Sequence, residues 1–189
     1  MRGMRRMWGV VVIAMVAGAG PSREVSAQET RSLQSVHVGD LQGMKSKFVG
    51  LARAFPESAY DWRPMEGVRS VREVLALMVA ECYVFPPMWG AEAAPGVSGG
   101  FAEHMERAGA LSRDDLIAEL ERSFDYAIAS VQGMDAASMD DEIQFFRNRV
   151  HRGTAIMMGT GDAHEHLGQL IAYARMNKIV PPWSQGGGQ

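Results

Sequence analysis

Apolar residues recur at spacings of three and four along most of the chain after residue 30, which is the period of an amphipathic helix. The pattern predicts four helices, at about residues 35–55, 70–85, 112–133 and 150–177. Pro56 ends the first helix and Pro86-Pro87 end the second, because proline lacks the N–H that a helix interior requires. Strand patterns are nearly absent. Long amphipathic helices with short connections favour an all-α fold, an antiparallel four-helix bundle.

Local residue choices support two of the helix starts. Ser70 is followed three residues later by Glu73, and Ser112 by Asp115, which is the spacing of a capping box. The fourth helix is unusual, because Gly153, Gly159 and Gly161 each cost about 0.5–1 kcal/mol relative to alanine in a helix interior. We therefore expect its first half to start late, to kink, or to pack very close to a neighbour.

The N-terminus has the pattern of a cleavable signal peptide. A basic stretch at residues 1–6 leads into an apolar run at residues 7–19, and Val25-Ser26-Ala27 puts small residues before a cleavage site at Gln28. The apolar run is too short to span a hydrocarbon layer of about 30 Å as a helix. The predicted organisation is a signal peptide at residues 1–27, a helical domain at 28–184 and a disordered tail at 185–189. The mature protein would be periplasmic or secreted, with no membrane span.

Charge and cysteine content narrow the classes of partner. Residues 1–27 carry four arginines and one glutamate, a local charge of +3, so the mature chain would carry about −6 instead of the −3 of the whole sequence. An acidic surface argues against nucleic acid and anionic membranes as partners. Cys82 is the only cysteine, so no internal disulfide can form, and its apolar helical surroundings predict a buried, inert thiol.

The residues most able to carry chemistry are concentrated near one turn of the fourth helix. Asp162 and His166 stand four residues apart, so a helix projects both from one face and they could bind one ion. His164 points about 200° away from Asp162, and we consider it, with Glu165, only as an acid/base candidate. A catalytic metal normally has three protein ligands, so another helix must supply at least one more.

The other titratable residues give weaker indications. Glu73 and Glu81 lie on the second helix, but the capping box already accounts for Glu73. We interpret His37, His104 and His151 as surface or capping residues. Asp and His ligands would suit zinc, nickel, iron or manganese, and the residue types do not choose among them.

Several blocks of the sequence resemble the DinB-like (damage-inducible) family in order and spacing. Together they cover about residues 36–184. The blocks are Tyr60-Asp61-Trp62-Arg63-Pro64, Val68-Arg69-Ser70-Val71-Arg72-Glu73-Val74-Leu75, His164-Glu165-His166-Leu167-Gly168-Gln169, Tyr173-Ala174-Arg175-Met176-Asn177 and Val180-Pro181-Pro182-Trp183-Ser184.

The resemblance implies a four-helix bundle, commonly dimeric, with a divalent-metal site of three residues that are usually histidines. One ligand belongs to the second helix, and a pair four residues apart belongs to the fourth. His166 matches the last of these, and Asp162 stands where the first of the pair is usually His. The second-helix ligand falls on Leu77, which cannot bind a metal. Glu81, one turn further along, is a candidate substitute.

Two hypotheses follow from this comparison. In the first, the protein is a metal-dependent hydrolase or transferase of an unknown small-molecule substrate, with Asp162, His166 and Glu81 as ligands. Some relatives in the family are thiol-dependent transferases or isomerases. In the second, the domain binds no metal and serves as a non-catalytic periplasmic binding or scaffold bundle, with Leu77 sealing the pocket.

Overall fold

The computed structural model describes residues 31–185. The predicted signal peptide at residues 1–27 lies outside the described residues, and so does the predicted disordered tail apart from Gln185. The described part contains five α-helices and one β-hairpin, together with short 3₁₀ turns. The helices are α1 (Leu33–Ala54), α2 (Val71–Met88), α3 (Phe101–Gly109), α4 (Arg113–Gln132) and α5 (Arg152–Met176), and the strands are β1 (Glu142–Phe145) and β2 (Asn148–His151).

The four long helices α1, α2, α4 and α5 surround one apolar core, which confirms the predicted helical class. The helix α1 runs antiparallel to α4, because the ion pairs Lys45–Asp125 and Arg53–Glu121 advance along the two helices in opposite directions. None of the helices in residues 31–185 combines the length and the apolar character that crossing a membrane would require.

Two neighbouring pairs of helices run parallel, so the prediction of an antiparallel bundle is wrong for them. Leu33 packs on Gly153 and Asp40 pairs with His164, so α1 and α5 share one direction. The helices α2 and α4 also run in the same direction. Arg72, near the start of α2, donates a hydrogen bond to the Leu111 carbonyl just before α4 begins.

The long connection between α2 and α4 explains this parallel packing. A helix of 18 residues such as α2 is about 27 Å long at 1.5 Å per residue, and the chain must cover that distance again before α4 can start beside the start of α2. Residues 89–112, which include α3, provide the return. The apolar pattern predicts no helix in most of this segment, and a short connection would force antiparallel packing.

The helix α3 and the hairpin are the elements that the sequence analysis missed. The helix α3 has only nine residues and follows a glycine-rich loop in the sequence. The strands have four residues each and bury little besides Phe145, so their pattern does not alternate clearly. The two-residue turn between Phe145 and Asn148 lacks the glycine that marks most tight hairpins.

The structure confirms the predicted start of α2 but not its predicted end. Ser70 Oγ accepts a hydrogen bond from the Glu73 backbone N–H (3.2 Å), and the Glu73 side chain accepts one from the Ser70 N–H (2.6 Å), as the capping box predicts. Pro86 and Pro87, however, do not end the helix, which continues to Met88. Each proline forgoes its own hydrogen bond to a carbonyl of the preceding turn, but the helix ends within two residues of Pro86, so little of it is disrupted.

The glycines of α5 serve different purposes. The helix is continuous over 25 residues. An added Cβ at Gly159 would lie 2.7 Å from the Trp89 ring and 2.9 Å from the Phe85 ring, whereas one at Gly161 would meet no atom within 4 Å. Of the three outcomes expected for this helix, close packing therefore applies at Gly159, where α5 lies against the end of α2.

We predict opposite effects for alanine at these two positions. Gly159→Ala overpacks the core beside two aromatic rings, and after the gain in helix propensity the net loss is about 1 kcal/mol, or about 2–4 °C in Tm. Gly161→Ala gains about 0.5–1 kcal/mol, because the helix is stiffened in open space. Thermal unfolding monitored by circular dichroism measures both. A Gly159→Ala protein as stable as Gly161→Ala would contradict the close packing.

Candidate metal centre

Three side chains from two helices meet in a pocket between α2 and α5. Glu81 comes from α2, and Asp162 and His166 come from successive turns of α5. His166 Nε2 lies 3.6 Å from Glu81 Oε1 and 3.8 Å from Asp162 Oδ1. One ligand atom from each of the three residues lies within 4.8 Å of the other two. The structure therefore brings together the three residues that the sequence analysis considered as ligands.

Glu81 is the most unusual member of this cluster. Its side chain is almost wholly buried, with 4% of the residue exposed, and among residues 31–185 its Oε2 has no hydrogen-bond partner. Burial raises the pKa of Glu81 to about 9, the nearby Asp162 carboxylate acts in the same direction, and the positive charge of Arg69 opposes both. A buried carboxylate oxygen without a partner is costly unless something neutralises it.

A chain of hydrogen bonds orients His166. Its Nδ1 lies 3.4 Å from Gln169 Oε1, Gln169 Nε2 donates to the Tyr173 hydroxyl (2.8 Å), and that hydroxyl donates to the Arg69 carbonyl (2.9 Å). Because the Gln169 amide group is fixed by Tyr173, its oxygen faces Nδ1, which favours the proton on that nitrogen. The Nε2 lone pair then faces Glu81 and Asp162.

The loop before α2 supports the same chain of hydrogen bonds. The Trp62 ring packs edge-on against the Tyr173 ring, with centroids 5.3 Å apart. Tyr60 is fully buried and its hydroxyl donates to the Ala52 carbonyl at 2.7 Å. The backbone N–H groups of Val71 and Arg72 donate to the carbonyls of Trp62 and Tyr60. The segment around Trp62 therefore positions the start of α2 and, through Tyr173, the imidazole of His166.

The cluster forms part of an open pocket of about 850 Å³. Apart from the three clustered residues, its lining is mostly apolar, with one cationic side chain. The other lining residues are Arg69, Leu77, Val84, Phe85, Phe101 and Phe146. Leu77 stands one turn before Glu81 on α2 and is buried. Its side chain contributes to the wall of the pocket beside the three clustered residues.

His164 and Glu165, the acid/base candidates, do not line this pocket. His164 faces α1, where its Nε2 lies 2.9 Å from Asp40 Oδ1, and Glu165 is exposed to solvent. The 100° rotation per residue turns both away from the face that carries Asp162 and His166. Any proton transfer in the pocket must therefore use other groups.

The prediction that His37 and His104 are surface or capping residues is wrong. His37 is buried between α1 and the start of α5, and burial lowers its pKa. His104 is buried on α3 with its ring stacked on Tyr83, and burial and the charge of Arg107 lower its pKa. His37 continues the apolar stripe of α1, and that spacing could have revealed its burial.

The remaining minor predictions agree with the structure. His151 is exposed at the N-cap position of α5. Cys82 is a buried free thiol, and burial raises its pKa.

The residues that form the mouth of the pocket were not predicted from the sequence. Arg69 lies in a quoted family block, next to the cap residue Ser70, but nothing in its spacing marked it as functional. Phe101 and Phe146 belong to α3 and to the hairpin turn, the two elements that were missed. Both are large exposed aromatics, 40% and 60% exposed respectively.

The three clustered residues fit a divalent cation. The distances of 3.6 and 3.8 Å from His166 Nε2 to the two carboxylate oxygens are too long for hydrogen bonds. They are close to the separation of about 3.4 Å expected between two ligand atoms that each lie about 2.1 Å from a tetrahedral ion. Two carboxylates and one imidazole form a donor set that such ions accept, and a cation would neutralise the unpartnered oxygen of Glu81.

Comparison with known proteins identifies the family. A model of the DinB superfamily matches residues 40–170, more than half of the chain, so the chain belongs to this superfamily. No curated protein matches it significantly.

Solved structures show the same fold at low sequence identity. A DinB-like protein from Bacillus subtilis is 16% identical with a TM-score of 0.60, over 77% of this chain and 93% of that one. One from Bacillus cereus is 12% identical with a TM-score of 0.62, over 76% and 94%. A mutant of the mycothiol-dependent maleylpyruvate isomerase is 12% identical with a TM-score of 0.59, over 75% and 63%.

We predict that Glu81→Gln stabilises the metal-free protein as the pH rises. The folded-state pKa of Glu81, about 9, lies above its ordinary value of 4.5, so its contribution to stability is full below about pH 4.5 and is lost as the pH rises toward 9. Glutamine does not ionise, so the variant does not lose stability in this way as the pH rises. In chelator, the variant should match the parent near pH 5 and exceed its Tm at pH 8 by at least about 2–4 °C.

The control for this experiment is Glu165→Gln, the same change at an exposed position on α5. It should leave the dependence of Tm on pH unchanged. If the Tm of Glu81→Gln followed that of the parent at every pH, the Glu81 carboxyl would not be buried as described.

Proposed function

We propose that this chain is a divalent-metal protein in which Glu81, Asp162 and His166 hold the ion. In this proposal Glu81 takes the place of the second-helix ligand, one turn after Leu77. The observation that carries the proposal is the buried Oε2 of Glu81, which has no hydrogen-bond partner in residues 31–185 and lies beside an imidazole nitrogen and a second carboxylate. A bound cation gives that oxygen the partner that the protein does not provide.

We further propose that the site serves a metal-dependent hydrolase or transferase acting on a small molecule. The open, mostly apolar pocket supports a small-molecule substrate. One structural neighbour is a mycothiol-dependent maleylpyruvate isomerase, so this fold is compatible with catalysis. When bound, a divalent cation would supply Lewis-acid polarisation of a substrate oxygen or sulfur.

The protein's own groups would have distinct roles in such a site. Gln169 and Tyr173 hold the His166 ring in one orientation, and a preoriented ligand binds without an ordering cost. Leu77 and Phe85 exclude water from one side of the cluster. Asp162 is the more exposed of the two carboxylates and faces the open part of the pocket. The donor set suits zinc, nickel, iron or manganese.

The second candidate function is a metal-free binding or scaffold domain. Leu77 favours it, because an apolar side chain lines the pocket where the family pattern has a ligand. The raised pKa of Glu81 favours it too, since a neutral carboxyl can stay buried without a cation. Metal content separates this function from the first.

Three further properties remain proposals that rest on the sequence pattern and the family. We propose that the mature chain is exported, to the periplasm or beyond the cell, and that two copies form a homodimer. We also propose that it does not bind nucleic acid, because the mature chain is acidic.

We predict that the purified protein contains close to one divalent metal ion per chain. His166→Ala should lose it, because only two ligands remain. His164→Ala is the matched control, since it removes an imidazole from the same helix that faces α1. Elemental analysis of the three proteins measures the content.

Thermal unfolding with and without chelator gives a second measure. A ligand that binds only the folded state stabilises it by about 2.7 kcal/mol at one hundred times its Kd, so chelator should lower the Tm of the parent and of His164→Ala. The Tm of His166→Ala should not change. Metal-free parent protein with a Tm indifferent to chelator would favour the scaffold function.

We predict that the exported protein begins at Gln28. Val25-Ser26-Ala27 places small residues at the positions that a signal peptidase reads. N-terminal sequencing and intact mass of the protein made in its own host, from cell fractions, check this. A chain that retains residues 1–27 in the cytoplasmic fraction would contradict export.

A further inference from the structure

We infer that the pocket beside Glu81 selects a small aromatic carboxylic acid, whose carboxylate binds Arg69 and whose ring lies against Phe101 and Phe146. The inference rests on the proposed function, because it assigns a substrate class to the pocket that holds the metal. It is carried by the chemistry of the pocket mouth, which the metal ligands do not explain.

Arg69 is a cation without a partner in the described chain. Its neighbours Arg63 and Arg72 pair with Glu73 and Asp61, whereas Arg69 forms no ion pair with any residue in the range 31–185. Its side chain lines the pocket, and its charge is felt by Glu81. Its backbone is held, since its carbonyl accepts a hydrogen bond from Tyr173 at 2.9 Å.

A guanidinium group in this position favours a carboxylate. Its planar set of N–H donors matches the two oxygens of a carboxylate and can bind both at once. Arg69 is the only arginine or lysine among the residues that line the pocket, so it is the protein side chain best suited to an anionic group of the ligand. A cation held by Glu81, Asp162 and His166 is the competing position for that group, and the measurement in chelator described below separates the two.

Two exposed aromatic rings indicate the rest of the ligand. Phe101 begins α3 and Phe146 lies in the hairpin turn, so two separate elements each place a phenyl ring at the same pocket. Large exposed apolar side chains that share a concave surface are typical of binding sites. A ligand with a flat ring could contact both, because aromatic pairs gain from edge and offset contacts.

The backbone at Phe146 supports a role for its side chain. Phe146 has a φ of 51°, in the left-handed region where glycine is normally favoured. Its neighbour Phe145 is buried and anchors the hairpin. The Phe146 residue, by contrast, is 60% exposed, and its ring packs edge-on against the Phe85 ring with the centroids 6.1 Å apart. A strained aromatic residue that buries so little of its own surface contributes more to the pocket than to the core.

The closing experiment measures binding of three simple probes by calorimetry and ligand-observed NMR. Benzoate carries both features, benzamide lacks the charge, and cyclohexanecarboxylate lacks the aromatic ring. Zinc-loaded protein should bind benzoate about ten-fold or more tightly than either of the others. Arg69→Gln should remove the preference for benzoate over benzamide. Phe146→Gly should weaken benzoate and benzamide alike.

The variants are chosen so that misfolding cannot mimic the result. Phe146→Gly places glycine at a positive φ, so its Tm should equal or exceed that of the parent while binding falls. Arg175→Gln and Trp183→Ala remove an exposed cation and an exposed aromatic that do not line the pocket, and both should bind benzoate as the parent does.

Each remaining outcome separates this inference from the metal proposal. If zinc binds but benzoate and benzamide bind equally, or Arg69→Gln binds benzoate normally, the inference is overturned and the metal proposal stands. Benzoate binding that disappears in chelator yet ignores Arg69→Gln would mean that the ion binds the carboxylate, which also overturns it. If zinc does not bind while benzoate binding depends on Arg69 and Phe146, the metal proposal fails and the ligand class is supported.

Discussion

The burial of one carboxyl group between α2 and α5 is the constraint on which the site depends. Glu81 is surrounded by the apolar core on one side and faces Asp162 and His166 on the other. A protein that needed only a stable core would place an apolar residue there, because burying a carboxyl group raises its pKa and costs stability at neutral pH. The burial of Glu81 is therefore explained by the side chains that lie opposite it, Asp162 and His166.

Packing at the two ends of the α2–α5 contact fixes the position of Glu81 opposite Asp162 and His166. Close packing at Gly159 brings α5 against Phe85 and Trp89 at the end of α2. At the other end, Tyr173 reaches the Arg69 carbonyl and packs against Trp62. With both ends of the contact defined, Asp162 and His166 fall opposite Glu81. Trp62, Arg69 and Tyr173 belong to the family blocks quoted from the sequence, whereas Gly159, Phe85 and Trp89 lie outside them.

The sequence predicted the parts of the site that depend on local helical geometry. The four-residue spacing of Asp162 and His166 was enough to place them on one face of a helix. Glu81 lies one helical turn after Leu77, which made it the candidate to replace the ligand expected there. The path of the chain could not be predicted in the same way. The parallel direction of α2 and α4, the helix α3 and the hairpin depend on tertiary packing of short or polar segments. The residues that those elements bring to the pocket, Phe101 and Phe146, were missed for the same reason.

The most direct test of the account is to locate a metal ion in the folded protein. Crystals grown with zinc and measured at the zinc absorption edge should give one strong anomalous peak, within about 2.0–2.2 Å of Glu81, Asp162 and His166. The same experiment on Glu81→Gln should show that peak lost or much reduced. A peak at the exposed pair of His164 and Asp40 instead, or an equally strong peak without the Glu81 carboxylate, would contradict the assignment.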